Sequence, residues 1–429
     1  MNRKIYSFLM ILFSPAILAY LLFRAIKAKT YREGLKQRFG FLPENTTSGG
    51  LLIHCASVGE VKAAEPLIRQ LIKLSQQQPN VFSTITISTT TPTGKAQVKS
   101  LFTDQLQHCY FPIDWTGSCK RFIKHLKPDL VFLMETELWP NFLEQCKKKS
   151  IPVILGNARL SQKSRDNYLK YKNLSQPMFD AIACIAAQYD SDVENFRQLG
   201  VDDSKIVKVG NIKFDVQLSP EVKAAQKGLQ KEWQINRPVW IAASIHPPEF
   251  ELVLKVHKIL LDKFSDLMLI AAPRHPERFE EFRLACLKSG LNFIQHSKQE
   301  KPQTQTQVII GDTLGQMMNY LSIAQVSLMG GSMIERGGHN PLEPVLCQLP
   351  VIMGMSRYNF NEVCHILTQA GVLFDARDQE QLTNTIAELL GNDEVRADIK
   401  LKAVELMKKN GGCVEKLVAL INDYIVHKS

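Results

Sequence analysis

Two kinds of hydrophobic pattern alternate along this chain: short unbroken apolar runs, and longer stretches in which apolar residues return every third or fourth position. Strand-type runs fall at residues 51–54, 84–88, 130–134, 153–155 and 182–187, all mainly apolar except 84–88, where Ile85 and Ile87 alternate with hydroxyl residues, and helical periodicity falls at 63–74 and 141–149. Such short, mainly apolar runs suit strands buried on both faces, and their alternation with helices implies a parallel sheet covered on either side. The rhythm restarts with strand-type runs at 239–243, 268–272, 308–311, 326–329 and 351–353. Between the two sets, residues 207–219 change character around Gly210 and Asn211, up to Pro220, and read as a linker. The pattern predicts an α/β chain of two doubly wound, Rossmann-like domains, 31–206 and 220–429. They are expected to face a cleft where the carboxyl ends of the strands hold ligand.

Residues 1–30 differ from the rest. From Ile5 to Ile26 the chain is almost wholly apolar, interrupted by Ser7, Ser14, Pro15 and Arg24, long enough to enter or cross a bilayer as a helical anchor. No small-x-small cleavage site follows it, which argues against a secretory signal. Behind it stand Arg24, Lys27, Lys29, Arg32, Lys36 and Arg38 against the single acid Glu33. By the positive-inside rule this basic collar keeps the body cytoplasmic, resting on anionic phospholipid. Pro15 leaves two modes open, a crossing helix or a kinked one in a single leaflet.

Composition narrows the class. A chain of 429 residues suits two domains, and 45% hydrophobic with 22% charged residues excludes wholesale disorder. The formal charge of +10 favours an anionic partner, whether nucleic acid, a phosphorylated small molecule or an acidic membrane surface. Nine scattered cysteines without a CxxC pair read as reduced thiols, with no disulfide framework or zinc site. The segment Thr91-Pro-Thr-Gly-Lys95 lacks the leading glycine and the hydroxyl residue after lysine of a phosphate-binding Walker loop. No paired-acid site invites a metal, and no motif calls for a cofactor.

Candidate chemistry gathers at strand ends. Residues 330–344, Gly-Gly-Ser-Met-Ile-Glu-Arg-Gly-Gly-His-Asn-Pro-Leu-Glu-Pro, follow a strand-type run and look like a glycine bend entering a helix. Asn340 suits the cap, Pro341 the first helical position and Glu343 a capping box. The amides of such a helix start attract phosphate; the competing reading is a plain turn with Glu343 as a cap. Ser332 and His339 are polar members of the same bend. In Cys55-Ala-Ser-Val-Gly-Glu60, Ser57 and Glu60 have capping-box spacing. Pro66 points instead to a helix starting near Ala63, with Glu60 on a loop, free to act as a general base. Glu135 and Glu137 end the run 130–134, Ser244 and His246 end 239–243, and Arg274 with His275 ends 268–272, where a guanidinium suits phosphate or carboxylate. Gly311-Asp-Thr-Leu-Gly-Gln316 ends another strand-type run, as a turn or as a nucleotide contact.

Seven segments together resemble the bacterial 3-deoxy-D-manno-octulosonic acid (Kdo) transferases of lipid A assembly. They are Ser57-Val-Gly-Glu60, Thr91-Pro-Thr-Gly94, Met134-Glu-Thr-Glu-Leu-Trp-Pro140, Gly156-Asn-Ala-Arg159, Lys213-Phe-Asp215, Pro273-Arg-His-Pro-Glu-Arg278 and Gly330-Gly-Ser through Leu342-Glu343. The resemblance covers essentially the whole chain. It implies a GT-B glycosyltransferase fold, a CMP-Kdo donor on the second domain and a tetraacylated lipid A precursor on the first, at the cytoplasmic side of a bacterial inner membrane. No nucleic acid is implied. Position by position, Glu60 resembles the catalytic base and Pro273 with Arg274 the phosphate-contacting pair. Leu314, Gly315 and Gln316, then Asn340, Pro341, Leu342 and Glu343, fall at nucleotide contacts; Gln316 departs from the acidic residue often found there. Rival readings are a UDP-sugar enzyme of the same fold and a non-catalytic lipid-binding protein.

Overall fold

A computed structural model describes every residue except 79–83, 104, 217, 219 and 427–429. The chain forms two compact units, Met1–Asp215 with Asn410–Ser429, and Val216–Lys409.

The first unit holds a seven-stranded, all-parallel sheet. Its strands are β1 (Leu51–His54), β2 (Ile85–Thr89), β3 (Gln107–Tyr110), β4 (Leu130–Met134), β5 (Val153–Ala158), β6 (Cys184–Ala187) and β7 (Ile206–Lys208), in the order β3-β2-β1-β4-β5-β6-β7. Alternate side chains serve two cores. Leu51 and Ile53 meet helix Val58–Gln77 on one face, while Leu52, Val131 and Leu133 meet Phe122, Phe142 and Phe196 on the other. This division follows from the period of two along a strand and explains why most of the runs carry few polar residues; β2, with Thr86, Ser88 and Thr89 buried, is an exception.

Two boundaries differ from those expected. Residues 206–208 are a strand of the first sheet and Ile212–Asp215 a short 3-10 turn of the same unit, so most of the expected 207–219 linker is built into the first unit. Positions 217 and 219 lie outside the described residues. The second domain also loses its expected carboxyl end. Helix Cys413–Val426 returns to the first unit, where Cys413, Val414, Leu417 and Ile421 join the core beneath β1 and β4. Asp215 holds it there: one carboxylate oxygen accepts the Gly412 amide at 2.5 Å and the other accepts the Val414 amide. Burial of Leu417 and Ile421 stabilises that return by about 1.5–3 kcal/mol each.

At the amino end the apolar stretch forms two helices, Arg3–Leu12 and Ser14–Lys27, bent by 53°, the kinked of the two forms that Pro15 left open. Pro15 lacks an N–H and its ring clashes with the carbonyl four residues back, which breaks the helix at Phe13. Among the described residues no single helix is long and apolar enough to cross a membrane.

The second unit repeats the design with β8 (Val239–Ile245), β9 (Met268–Pro273), β10 (Phe293–Gln295), β11 (Val308–Ile310), β12 (Val326–Met329), β13 (Val351–Met353) and β14 (Leu373–Asp375). Their order is β10-β11-β9-β8-β12-β13-β14, again all parallel. In each sheet the winding direction reverses beside the first strand, between β1 and β4 and between β8 and β12. Connections leave such a switch point in opposite directions and open a crevice at the strands' carboxyl ends.

Candidate active site

At the first switch point the structure corrects the expected loop at Glu60. The helix begins at Val58 and keeps Pro66 inside it, giving up one intrahelical hydrogen bond. Ser57 is its cap. The Glu60 amide donates to Ser57 Oγ at 3.3 Å, Ser57 Oγ donates to Glu60 Oε1 at 2.9 Å, and the Ala56 amide donates to Glu60 Oε2 at 2.8 Å. Glu60 is therefore a capping residue and a buried carboxyl at once. Burial, reinforced by the charges of Glu135 and Glu137, lifts its pKa to about 7 against the pull of those hydrogen bonds. A carboxyl balanced near neutrality can accept a proton from a substrate hydroxyl and is poised for general-base work.

Glu135 and Glu137 follow β4, the neighbour of β1 across the switch. Glu135 has φ 55°, a left-handed conformation uncommon for a glutamate, and its amide donates to the Gly156 carbonyl at 2.9 Å. Such strain persists only where surrounding bonds hold it. Glu137 accepts the Trp139 indole N–H at 3.0 Å, and burial raises its pKa. The two carboxyls share the electrostatic surroundings of Glu60.

At the second switch point the glycine bend differs from its expected use. The Gly330 amide is bonded to Ala243, Gly338 to Gly331, His339 to Gly330, and Gly337 to Ser356 Oγ. The Gly331 and Met333 amides donate to the carboxylate of Glu249, at 2.9 and 3.2 Å. These donors are occupied by the protein itself and are not free for phosphate. A Cβ at Gly330 would lie 2.4 Å from the Ser244 carbonyl oxygen, so this glycine lets two strand ends meet and does not admit a ligand. Helix Leu342–Leu346 has five residues and starts after Pro341. Asn340 Oδ1 accepts the Leu342 amide at 3.2 Å. Leu342 is sealed in the core, and Ser332 is buried between the Met329 carbonyl and the Gly354 amide. Glu343, in the first turn, is half-buried.

Cationic and imidazole side chains take the place of those amides. His339 Nε2 lies 2.9 Å from His246 Nε2 with the rings stacked, and His275 lies edge-on to His246 at 5.6 Å. Burial, Arg274, His246 and His275 together push the His339 pKa down to about 4. Burial, Arg336, His275 and Arg274 lower that of His246. Pro273 ends β9, and the Arg274 amide donates to the Ile245 carbonyl at 2.9 Å, which holds the Arg274 backbone beside the β8 end and leaves its side chain exposed. At neutral pH these shifts leave both imidazoles uncharged beside the Arg274 guanidinium. Leu314, Gly315 and Gln316 form the turn after β11, with Leu314 exposed and Gln316 Oε1 accepting from Asn319 Nδ2 at 2.6 Å.

Glu249 and Arg336 escaped the sequence reading. His246-Pro-Pro-Glu249 carries a signal for the first, since proline at the helix start with glutamate at the third position marks a cap. Nothing local marks Arg336, which the bend carries to the histidines.

Comparison with known proteins adds independent findings. Residues 33–216 match the family described as 3-deoxy-D-manno-octulosonic-acid transferase (kdotransferase), and residues 236–405 match glycosyl transferases group 1. A 3-deoxy-D-manno-octulosonic acid transferase of Haemophilus influenzae is 38% identical over 428 residues, 99% of each chain. One from Rickettsia typhi is 32% identical over 82% of this chain and 73% of that protein. A glycosyltransferase structure from Rickettsia africae shares the fold at TM-score 0.54 and 13% identity, covering 88% of this chain and 99% of that one. The two parallel-sheet units are of the GT-B kind.

Proposed function

This chain belongs to the Kdo transferase family of glycosyltransferases, and we propose that it moves Kdo from CMP-Kdo to a tetraacylated lipid A precursor with inversion at the anomeric carbon. The observation that carries this reading is the Glu60 carboxyl, buried beside two further acids and half-ionised near neutral pH. An acceptor sugar hydroxyl gives its proton to Glu60 as its oxygen bonds to the anomeric carbon. The bond from that carbon to the donor phosphate breaks, and CMP leaves with the electron pair. Arg274 stabilises the departing phosphate by charge placed in advance of the reaction, and the neutral imidazoles around His339 offer it N–H donors. Pro273, Leu314, Gly315, Gln316, Asn340, Pro341 and Glu343 shape the nucleotide's surroundings; Leu342 and Ser332 support them from the core. The basic collar and the lipid nature of the proposed acceptor support a reaction at the cytoplasmic face of a bacterial inner membrane.

Purified full-length protein in lipid, given radiolabelled CMP-Kdo and the lipid acceptor, is expected to yield labelled lipid whose mass rises by whole Kdo units. Label incorporated from a UDP-sugar and none from CMP-Kdo would overturn the donor assignment. No transfer from either donor, with the lipid still bound, would favour a binding protein.

A further inference from the structure

The two amino-terminal helices carry their apolar surface outward. Phe8, Ile11, Leu12, Phe13, Leu22, Phe23 and Ile26 are each more than half exposed, and Ala25 is the one buried residue of the pair. The first helix is nonetheless fastened to the first unit. Arg3 donates to Asn141 Oδ1 at 3.1 Å and pairs with Glu144 at 3.4 Å, Ser7 Oγ donates to Asn141 Oδ1 at 2.8 Å, and the Trp115 indole donates to the Met10 carbonyl at 3.1 Å. Positions 3, 7 and 10 share one helical face, which leaves Phe8, Ile11 and Leu12 on the other.

The far end of the segment returns to the same place. Phe39 packs on Trp115 with ring centroids 5.7 Å apart, its carbonyl accepts from Arg121 at 2.7 and 2.9 Å, and the Ile113 amide donates to the Arg38 carbonyl at 2.8 Å. Residues before and after the apolar stretch are thus pinned to one side of one unit. A bilayer-crossing segment would separate them by the hydrocarbon thickness of about 30 Å, whereas the second helix, with 14 residues, is about 21 Å long.

We infer that residues 3–27 form a bent wedge that enters one leaflet of an anionic membrane and leaves it on the same side, without crossing. Arg24, Lys27, Lys29 and Arg32 stand where the second helix returns to the body, at headgroup level, which matches the charge of acidic phospholipid. The inference deepens the membrane placement proposed above and concerns topology, so it does not depend on the donor or on Glu60.

The native cysteines are buried or half-buried, so a new exposed thiol is readable in the full chain. Asn2→Cys and, as a marker of the body, Lys163→Cys are to be treated with a membrane-impermeant maleimide in spheroplasts and in inverted inner-membrane vesicles. Both are expected to label in inverted vesicles alone. Asn2→Cys labelling in spheroplasts while Lys163→Cys does not would establish a crossing segment and overturn the inference. In a second arm, Phe23→Glu with Ile26→Glu is expected to abolish sedimentation with phosphatidylglycerol vesicles while purified protein keeps its thermal transition. Unchanged sedimentation, or a dimer that the double variant dissolves without loss of vesicle binding, would also overturn it.

Discussion

Glu60 and Glu249 occupy the same place in two sheets of the same kind, and they do different work. Each is the third residue of the first helix after the first strand at a switch point, and each returns a hydrogen bond to the backbone before that helix. Around Glu249 the neighbours are donors: the amides of His246, Gly331 and Met333 surround its carboxylate. Around Glu60 two amide or hydroxyl donors face two further carboxyls, and its proton affinity settles at about 7. A capping carboxylate is a structural staple when its neighbours are donors and a poised base when they are acids. Burial raises the proton affinity of both carboxyls first; the added charges of Glu135 and Glu137 at Glu60, against the added backbone donors at Glu249, separate the two.

The comparison breaks most visibly at Glu60 itself. Glutamine keeps the size and the capping geometry but cannot take a proton. Glu60→Gln is therefore expected to lower kcat for Kdo transfer by ~10²–10⁴-fold, with the thermal transition and CMP affinity kept. A rate within a few-fold of the parent would return Glu60 to the rank of a plain cap.

Glu249→Gln is expected to do the opposite. Its amide nitrogen would confront backbone donors, so one of the three N–H groups loses its acceptor at a cost of about 1–3 kcal/mol. Calorimetry should show earlier unfolding, while transfer per folded molecule stays within about tenfold of the parent. A collapse of kcat without loss of stability would mean the two glutamates are not divided as described.

Much of the fold was legible in the sequence, and what was hidden has physical causes. Strands β1, β4, β12 and β13 sit where unbroken apolar runs placed them, because strands buried on both faces have little freedom to shift. Pro66 misled because a proline in a helix is costly but tolerable when Ser57 and Glu60 secure the start and Val61, Ala64, Leu67 and Ile68 bury one face. The glycine bend looked like a phosphate cradle because amides in a sequence carry no sign of their partners. Glu249, 82 residues before Gly331 in the chain, is a partner that fills it. The return of Cys413–Val426 to the first unit rests on Asp215, a contact between residues far apart in the chain.

A smaller effect is expected from pH. In the folded chain His339 titrates near 4, below the ordinary 6.5, so falling pH protonates the unfolded chain first. The stability this ring contributes is present above about 6.5 and lost as pH falls through about 4. A bound phosphate favours the charged ring, so CMP should bind more tightly from pH 7 to pH 5, by up to about tenfold, with proton uptake visible in buffers of different ionisation enthalpy. His339→Asn should flatten that slope. An unchanged slope would leave Arg274 alone as the anion's partner.

The smallest effect tests what sets Glu60 apart. Its pKa is raised first by burial and then, against two hydrogen bonds, by Glu135 and Glu137. Because the folded value lies above the ordinary 4.5, Glu60 contributes stability fully below about 4.5 and loses it as pH rises through about 7, while the base becomes active over that rise. Glu135→Gln removes one like charge and leaves the burial. The acid limb of the kcat profile should move toward lower pH by a fraction of a unit, and acid-side stability should change in the same sense. Glu135 also holds a left-handed backbone that glutamine tolerates equally, so the strand end stays in place. A profile that does not move would assign the raised affinity to burial alone, and the charge-based contrast between the two glutamates would then fail at its source.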